Sequence, residues 1–297
     1  MGQLDMLTLR APAKVNLTLE VLGRRDDGYH DIVSIMQTVD LCDTITLEPA
    51  DALAIDCDDA SIDPSENLAL RAATLLDEST GGGKGAKIRL EKSIPVAAGL
   101  GGGSSDAAAT LVGLNRLWDL GLPIERLVDL AARLGSDVPF FIHGGVAMVQ
   151  GKGERVRPLS AVDLDRMVIL SPKIAVPEKT SSLYRKLTPS HYTRGALTRK
   201  LEARIRGGGD APPQFFFNAF DAVAFEAYPT LETYWNTLSA LGAREIHLAG
   251  SGPSLFATVA RKELGTAIQL ILEHSHGWDA HLVSAWDPAS EGGAWAR

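Results

Sequence analysis

Between Pro95 and Ala108 the chain reads Pro-Val-Ala-Ala-Gly99-Leu-Gly101-Gly102-Gly103-Ser104-Ser105-Asp106-Ala-Ala. Four glycines in five residues remove side chains where a ligand must approach the backbone closely, and they permit positive φ. The alanine-rich stretch that follows predicts a helix over Ala107 to Trp118, whose first N–H groups and positive dipole end attract anions. Ser104 and Ser105 add hydroxyl donors and are candidate N-caps. Phosphate binding fits this pattern. It is not a Walker loop, because no Lys-Ser/Thr follows the last glycine, and not a dinucleotide fingerprint, because Ser104 stands where the third glycine belongs. The plain alternative is a tight strand–helix connection in which the glycines only permit packing.

Other residues able to do chemistry are scattered. Lys14 and Asn16 share one face of a strand in which Val15, Leu17, Leu19 and Val21 form the buried face. Gly28-Tyr29-His30 ends a loop of glycines and aspartates, and Asp137 follows a helix that Pro123 opens and Gly135 ends. Taken singly each is bland. A strand lysine is usually a solvated charge, and an aspartate before Val-Pro a turn former.

The elements that must position these groups read as follows. Val33 to Leu41 and Thr44 to Leu47 are strands; Ser65 caps a helix through Leu76; Lys87 to Glu91 is a strand leading into the glycine segment. A strand-like stretch runs from Phe140 to Val149, and Gly151 to Glu154 turns the chain. Beyond a boundary near Leu159 come a strand at Met167 to Leu170, helices across 195–241, and strands at Ile246 to Ala249 and Leu255 to Val259. A helix at Lys262 to His274 and a last strand in His281 to Trp286 follow. This order predicts an α+β protein with helices on one face of the second sheet. Gly81 to Gly83 and Gly207 to Gly209 read as flexible loops, and the stretch from Pro288 as disordered.

The bulk numbers set limits. A chain of 297 residues, 45% hydrophobic and 22% charged, is of ordinary globular composition. A net charge of −8 and no Lys/Arg run argue against a nucleic-acid partner. Cys42 and Cys57 form no CxxC pair, no apolar run approaches a membrane span, and Met1 to Arg10 lacks a signal-peptide pattern. The expectation is a reduced, cytoplasmic protein with no membrane partner.

Three segments in order resemble the motifs of the GHMP kinases, the superfamily of galactokinase, homoserine kinase and mevalonate kinase. They are Ala11-Pro-Ala-Lys14-Val-Asn16-Leu17, the glycine segment, and Leu248-Ala-Gly250-Ser-Gly252-Pro-Ser254. Gly28-Tyr29-His30, Leu134-Gly-Ser-Asp137-Val-Pro-Phe-Phe141 and Gly151-Lys-Gly-Glu154 are similar to the branch acting on a cytidine diphosphate-linked methylerythritol. The likeness is strong over residues 11–158 and thin over 159–245.

That resemblance implies two domains, 1–158 and 159–297. The first would be a ribosomal-protein-like α/β domain and the second a ferredoxin-like α+β domain, with the active site in the cleft between. It implies transfer of the ATP γ-phosphate to the 2-hydroxyl of the methylerythritol unit, with Asp137 as base and Lys14 holding it ionised. The ATP-binding residues would be Pro95, Val96, Ala97, Ala98, Gly99, Leu100, Gly101, Gly102, Gly103, Ser104 and Ser105, with Asn67 and Lys92 near the adenine. A surface asparagine and a strand-end lysine are the plain readings of those last two. Mg²⁺ would be held by Ser104 or by a water shell. Asn16 would bond the polyol, Tyr29 and His30 would meet the cytosine, and Tyr184 would be the second aromatic or else a core residue. Another GHMP kinase, acting on homoserine or a mevalonate derivative, and a non-catalytic sensor of the same fold are the competing readings. An aromatic pair suits a pyrimidine better than an aliphatic amino acid.

Overall fold

The computed structural model describes residues 6–286 apart from 163, 165 and 175–178; the expectations for the first five residues and for the stretch from Pro288 lie outside the described residues. Strands β1 (Leu7–Arg24) and β2 (His30–Ala50) pair antiparallel along most of their length. The two runs expected as separate strands are one strand of 21 residues. It continues because it changes partners: Thr44–Ala50 pair with β4 (Gly85–Glu91), and Ile32–Gln37 with β5 (Val146–Gly151). With β3 (Leu53–Cys57) on β4, β6 (Arg155–Pro158) on β5 and the two-residue β8 (Phe217–Asn218) on β1, this sheet has seven strands.

Four helices cover one face of it. α1 (Leu68–Ser79), α2 (Gly102–Leu117), α3 (Ile124–Leu134) and α4 (Val138–His143) enclose a core that includes Ile45, Leu47, Ile88, Leu76, Leu111 and Phe140. α2 lies close on the strands because it carries Gly113, where a Cβ would overlap Leu47 and Leu9. The cap of α1 is Asn67, whose Oδ1 accepts from Ala69 N at 2.9 Å, and not Ser65, which turns back onto Asp63. Phe140 to His143 is helical where a strand was expected. Pro139 favours the first helical turn, and the strand begins only after Gly144 and Gly145, both at positive φ.

The chain then forms β7 (Met167–Ser171), α5 (Lys179–Lys186), α6 (Ala196–Arg206) and α7 (Ala224–Ala227). α8 (Leu231–Ala240), β9 (Arg244–Leu248), β10 (Leu255–Thr258), α9 (Lys262–His276) and β11 (Asp279–Val283) follow. Strands β11-β7-β10-β9 make an antiparallel sheet of split β-α-β-β-α-β topology. β7 is buried throughout because it serves two cores. Val168 and Leu170 pack with Leu231, Leu238 and Ile268 of the helices, while Met167 and Ile169 join Val15, Leu17 and Ile35 of the first sheet. The expected α+β arrangement, with helices on one face of the second sheet, is thus present.

Two return segments tie the sheets together. α6 packs on β1, Thr198 N donating to Glu20 Oε2 at 2.8 Å and Thr198 Oγ1 to Thr18 Oγ1 at 2.9 Å. The polar face of β1 is covered, and Lys14, Asn16, Thr18 and Glu20 are at most 3% exposed, so the plain reading of Lys14 as a solvated charge does not hold. After β11, Ala285 bridges to Val39; Trp286 N donates to Thr38 O at 2.9 Å, and Thr38 Oγ1 to Trp286 O at 2.6 Å. Among the described residues no helix is long and apolar enough to cross a membrane.

Candidate active site

A cavity of about 1470 Å³ opens where the two sheets meet. Its lining includes Pro95 to Gly99, Gly101 to Ser104, Lys14, Asn16, Asn67 and Lys92, and farther along Tyr29, His30, Asp137 and Tyr184. Leu100 and Ser105, also expected to meet the nucleotide, are fully buried behind that lining. Leu100 serves the site through its carbonyl, which accepts from Lys14 N at 2.9 Å and fixes β1 against the glycine segment.

The glycine run does not merely precede α2; it forms its first turn. Gly101, at φ +76°, is the cap residue, so Ser104 and Ser105 lie inside the helix rather than capping it. The N–H groups of Gly102, Gly103 and Ser104 stand outside the helix's own bonding, and the first turn carries no acidic side chain, so the end of α2 is fit for phosphate. Gly101 has a second constraint, since a Cβ there would lie 2.7 Å from the Phe141 ring.

Lys14 Nζ lies 3.9 Å from Asp137 Oδ2 and 2.6 Å from Asn16 Oδ1. Asp137 stands at the N-terminus of α4 but makes no side-chain cap bond, which leaves its carboxylate for the cavity. Burial pulls the Lys14 ammonium below the ordinary lysine range, and Asp137 opposes that pull. Behind Lys14 runs the 248–254 loop. A Cβ on Gly250 would lie 2.8 Å from Lys14 Nζ, so only glycine leaves room for the ammonium. Asn218 Nδ2 donates to Leu248 O and Gly250 O, each at 2.8 Å, and Ser254 N donates to Ala98 O at 3.1 Å. The last of these bonds joins the third glycine segment to the second, and the first two fix it to β8.

Lys92 is held between Asp43 and Asp106 at 2.5 and 2.8 Å, and Asp43 Oδ1 also accepts from Ser93 N and Ile94 N. Burial pushes the Asp106 carboxyl up to about 8, a rise that Lys92 opposes and Asp43 reinforces. One ammonium between two buried carboxyls retains one proton on Asp106, whose Oδ1 has no partner among the described residues. A carboxyl raised above its unfolded value of 3.8 contributes stability that is complete below about 4 and is lost as pH rises toward 8. Asp106→Asn, neutral at every pH, therefore melts higher than the parent at pH 9, and the gap narrows toward pH 5; thermal melts across that range measure it.

At the other end Tyr29 is 55% exposed, and Lys152 Nζ sits 4.8 Å from its ring centroid. His30 stacks on Tyr184 at 4.7 Å and 19°, and Tyr184 meets Phe220 edge-on. Burial, assisted by Arg24, lowers the His30 pKa, so the stacked imidazole is neutral at pH 7. At 4.7 Å these rings enclose no third ring; a base uses an outer face of the stack or displaces α5.

Sequence reasoning missed Ser34, Asp43 and Asn218. Asp43 and Ser34 are ordinary strand positions, and Asn218 falls in the stretch of thin resemblance. Its one local signal was an asparagine just before a helical turn, where it caps Phe220 N at 3.0 Å.

Comparison with known proteins fits this geometry. The family model for the GHMP kinases N terminal domain matches residues 67–145. The 4-diphosphocytidyl-2-C-methyl-D-erythritol kinase of Dehalococcoides mccartyi is 45% identical over 285 residues, covering 95% of this chain and 99% of its own. A crystal structure of 4-(cytidine 5'-diphospho)-2C-methyl-D-erythritol kinase superposes with a TM-score of 0.80 at 33% identity, covering 94% of this chain and 100% of the other. Homoserine kinase from Cytophaga hutchinsonii gives 0.74 at 18% identity over 97% and 96% of the two chains, a likeness of fold alone. The chain belongs to the 4-diphosphocytidyl-2-C-methyl-D-erythritol kinase family of the GHMP kinases.

Proposed function

We propose that this protein transfers the γ-phosphoryl group of ATP to the 2-hydroxyl of 4-diphosphocytidyl-2-C-methyl-D-erythritol, with Asp137 taking the hydroxyl proton. The observation that carries the reading is the Lys14 ammonium 3.9 Å from Asp137, in the wall of a cavity that also holds the glycine run. As the acceptor oxygen bonds to phosphorus and the bond to ADP breaks, its proton passes to an Asp137 carboxylate oxygen. Lys14 lies beside that carboxylate and faces the charge that develops on the transferring group. The backbone N–H groups of Gly102 to Ser104 receive the nucleotide's phosphates, with Asn67 and Lys92 toward its base.

Mg²⁺ bound with the nucleotide neutralises phosphate charge. The Ser104 hydroxyl in the lining, or a shell of water, would hold it. Tyr29 and His30, with Tyr184, receive the cytosine. Both ends of the Asn16 amide are engaged by Lys14 and Ser34, so Asn16 meets the polyol from an already fixed orientation. Residues 1–158 and 159–297 are our division into domains, and the cytoplasm our assignment of place.

The test is ADP release with 4-diphosphocytidyl-2-C-methyl-D-erythritol, homoserine and mevalonate in parallel. Turnover is expected with the cytidyl substrate alone. Turnover with homoserine or mevalonate instead replaces the substrate assignment, and none with any of them favours a sensor.

A further inference from the structure

Ser34 lies in mid β2, fully buried, and belongs to none of the motifs above. It pairs with Leu19, next to the register shift between Asn16 and Thr18, where the β1–β2 ladder is interrupted. There Ser34 Oγ donates its single proton to Thr18 O at 2.5 Å. That commitment decides the next bond. With its proton spent, the hydroxyl can only accept, and it accepts from Asn16 Nδ2 at 2.9 Å. The amide is thereby turned so that Oδ1, not Nδ2, meets Lys14 Nζ at 2.6 Å. The reverse orientation would set two N–H donors against an ammonium and a carbonyl oxygen against a hydroxyl oxygen with no proton to give.

We propose that Ser34 is a positioning residue for the phosphoryl-transfer site: it fixes the Asn16 amide and, through it, the place and charge of the Lys14 ammonium. The inference rests on the reading of Lys14 as a catalytic group. Every member of the relay is at most 3% exposed, so water does not substitute for a lost bond. The charged group facing Lys14 is Asp137, from the start of α4. The neighbours from β1, the glycine segment and the 248–254 loop are Asn16, the Leu100 carbonyl, Gly101 and Gly250, all uncharged. A turned amide therefore acts on an ammonium that has one countercharge and is already pulled down by burial.

The experiment compares the full-length parent with Ser34→Ala, Ser34→Thr and Lys14→Met, reading kcat and KM against pH together with thermal midpoints. The parent loses activity on the alkaline side as Lys14 gives up its proton. In Ser34→Ala that limb moves to lower pH by about one unit, and kcat falls roughly tenfold with KM for ATP unchanged. Ser34→Thr keeps the hydroxyl and the parent's limb. A Ser34→Ala enzyme with a lower melting point and an unmoved limb overturns the proposal, because the residue is then structural only. Should Ser34→Ala not fold, the same limb is read on Ser34→Cys, whose thiol fills the space and donates weakly; an unmoved limb there overturns it equally. A Lys14→Met enzyme that keeps the parent's turnover overturns the premise instead, which is a distinguishable result.

Discussion

Asp137→Asn is expected to lower kcat by roughly 10²–10⁴-fold, the usual contribution of a positioned general base, with little change in KM for ATP. The amide has the shape of the carboxylate but cannot take the proton of the attacking hydroxyl. Asp137 makes no cap bond to α4, so the helix start does not depend on it. Its removal acts instead on Lys14, which loses the charge that opposes its burial. The ammonium then sits farther below its unfolded pKa of 10.5. A lysine lowered in this way makes the unfolded chain bind the extra proton, so the stability of the variant rises with pH as Lys14 deprotonates. ADP-release kinetics and melts at pH 7 and pH 9 measure the two effects separately. Full activity in Asp137→Asn removes it as the base, whatever the melts show.

The second large effect belongs to Gly99. Its φ is +91°, a region that side chains rarely adopt, and a Cβ there would sit on the carbonyl oxygen of Ala249. Gly99→Ala thus strains its own backbone by about 1–3 kcal/mol and forces two packed segments apart at a further cost of about 1–3 kcal/mol. Ala249 precedes Gly250, which leaves space for Lys14, so the same displacement reaches the Lys14 ammonium. The expected result is a melting point lower by several degrees, loss of the stabilisation that ATP gives the parent, and turnover near background. Gly82→Ala is the control: its φ is also positive, but nothing lies within 4 Å of the added carbon. Equal behaviour of the two variants would leave backbone strain as the whole effect and sink the role assigned to contact between the loops.

What could be read in advance follows from how far each signal travels along the chain. α3 was legible because Pro123 and Gly135 stand at its two ends, and β7 because four apolar residues run together. The start of α2 was not, because glycine is a poor helix former and the run reads as loop until the phosphate-binding turn is seen to be helical. Lys14, Asp137 and the glycines were found by pattern. That Lys14 is buried was not, because the glycine segment and the 248–254 loop that pack against it lie far along the chain from β1. A separation of 32 residues hid Asn218, whose amide gains meaning only when the 248–254 loop folds over it. Ser34 carries no local signal at all; its importance lies in the direction of one proton.

The ties at Thr198, Phe217 and Trp286 bear on how the chain is made. On the ribosome the long β1–β2 pair emerges early, but the helix that covers its polar face, the strand that extends its edge and the segment bonded to Thr38 emerge in the second half. Until then Thr18 and Glu20 lack their partner Thr198, and Lys14 lacks the 248–254 loop behind its ammonium. A nascent chain halted near Pro158 would hold the glycine run, Lys14 and Asp137 but not the 248–254 loop that backs them. The cavity described above takes its second wall only from the later half of the chain.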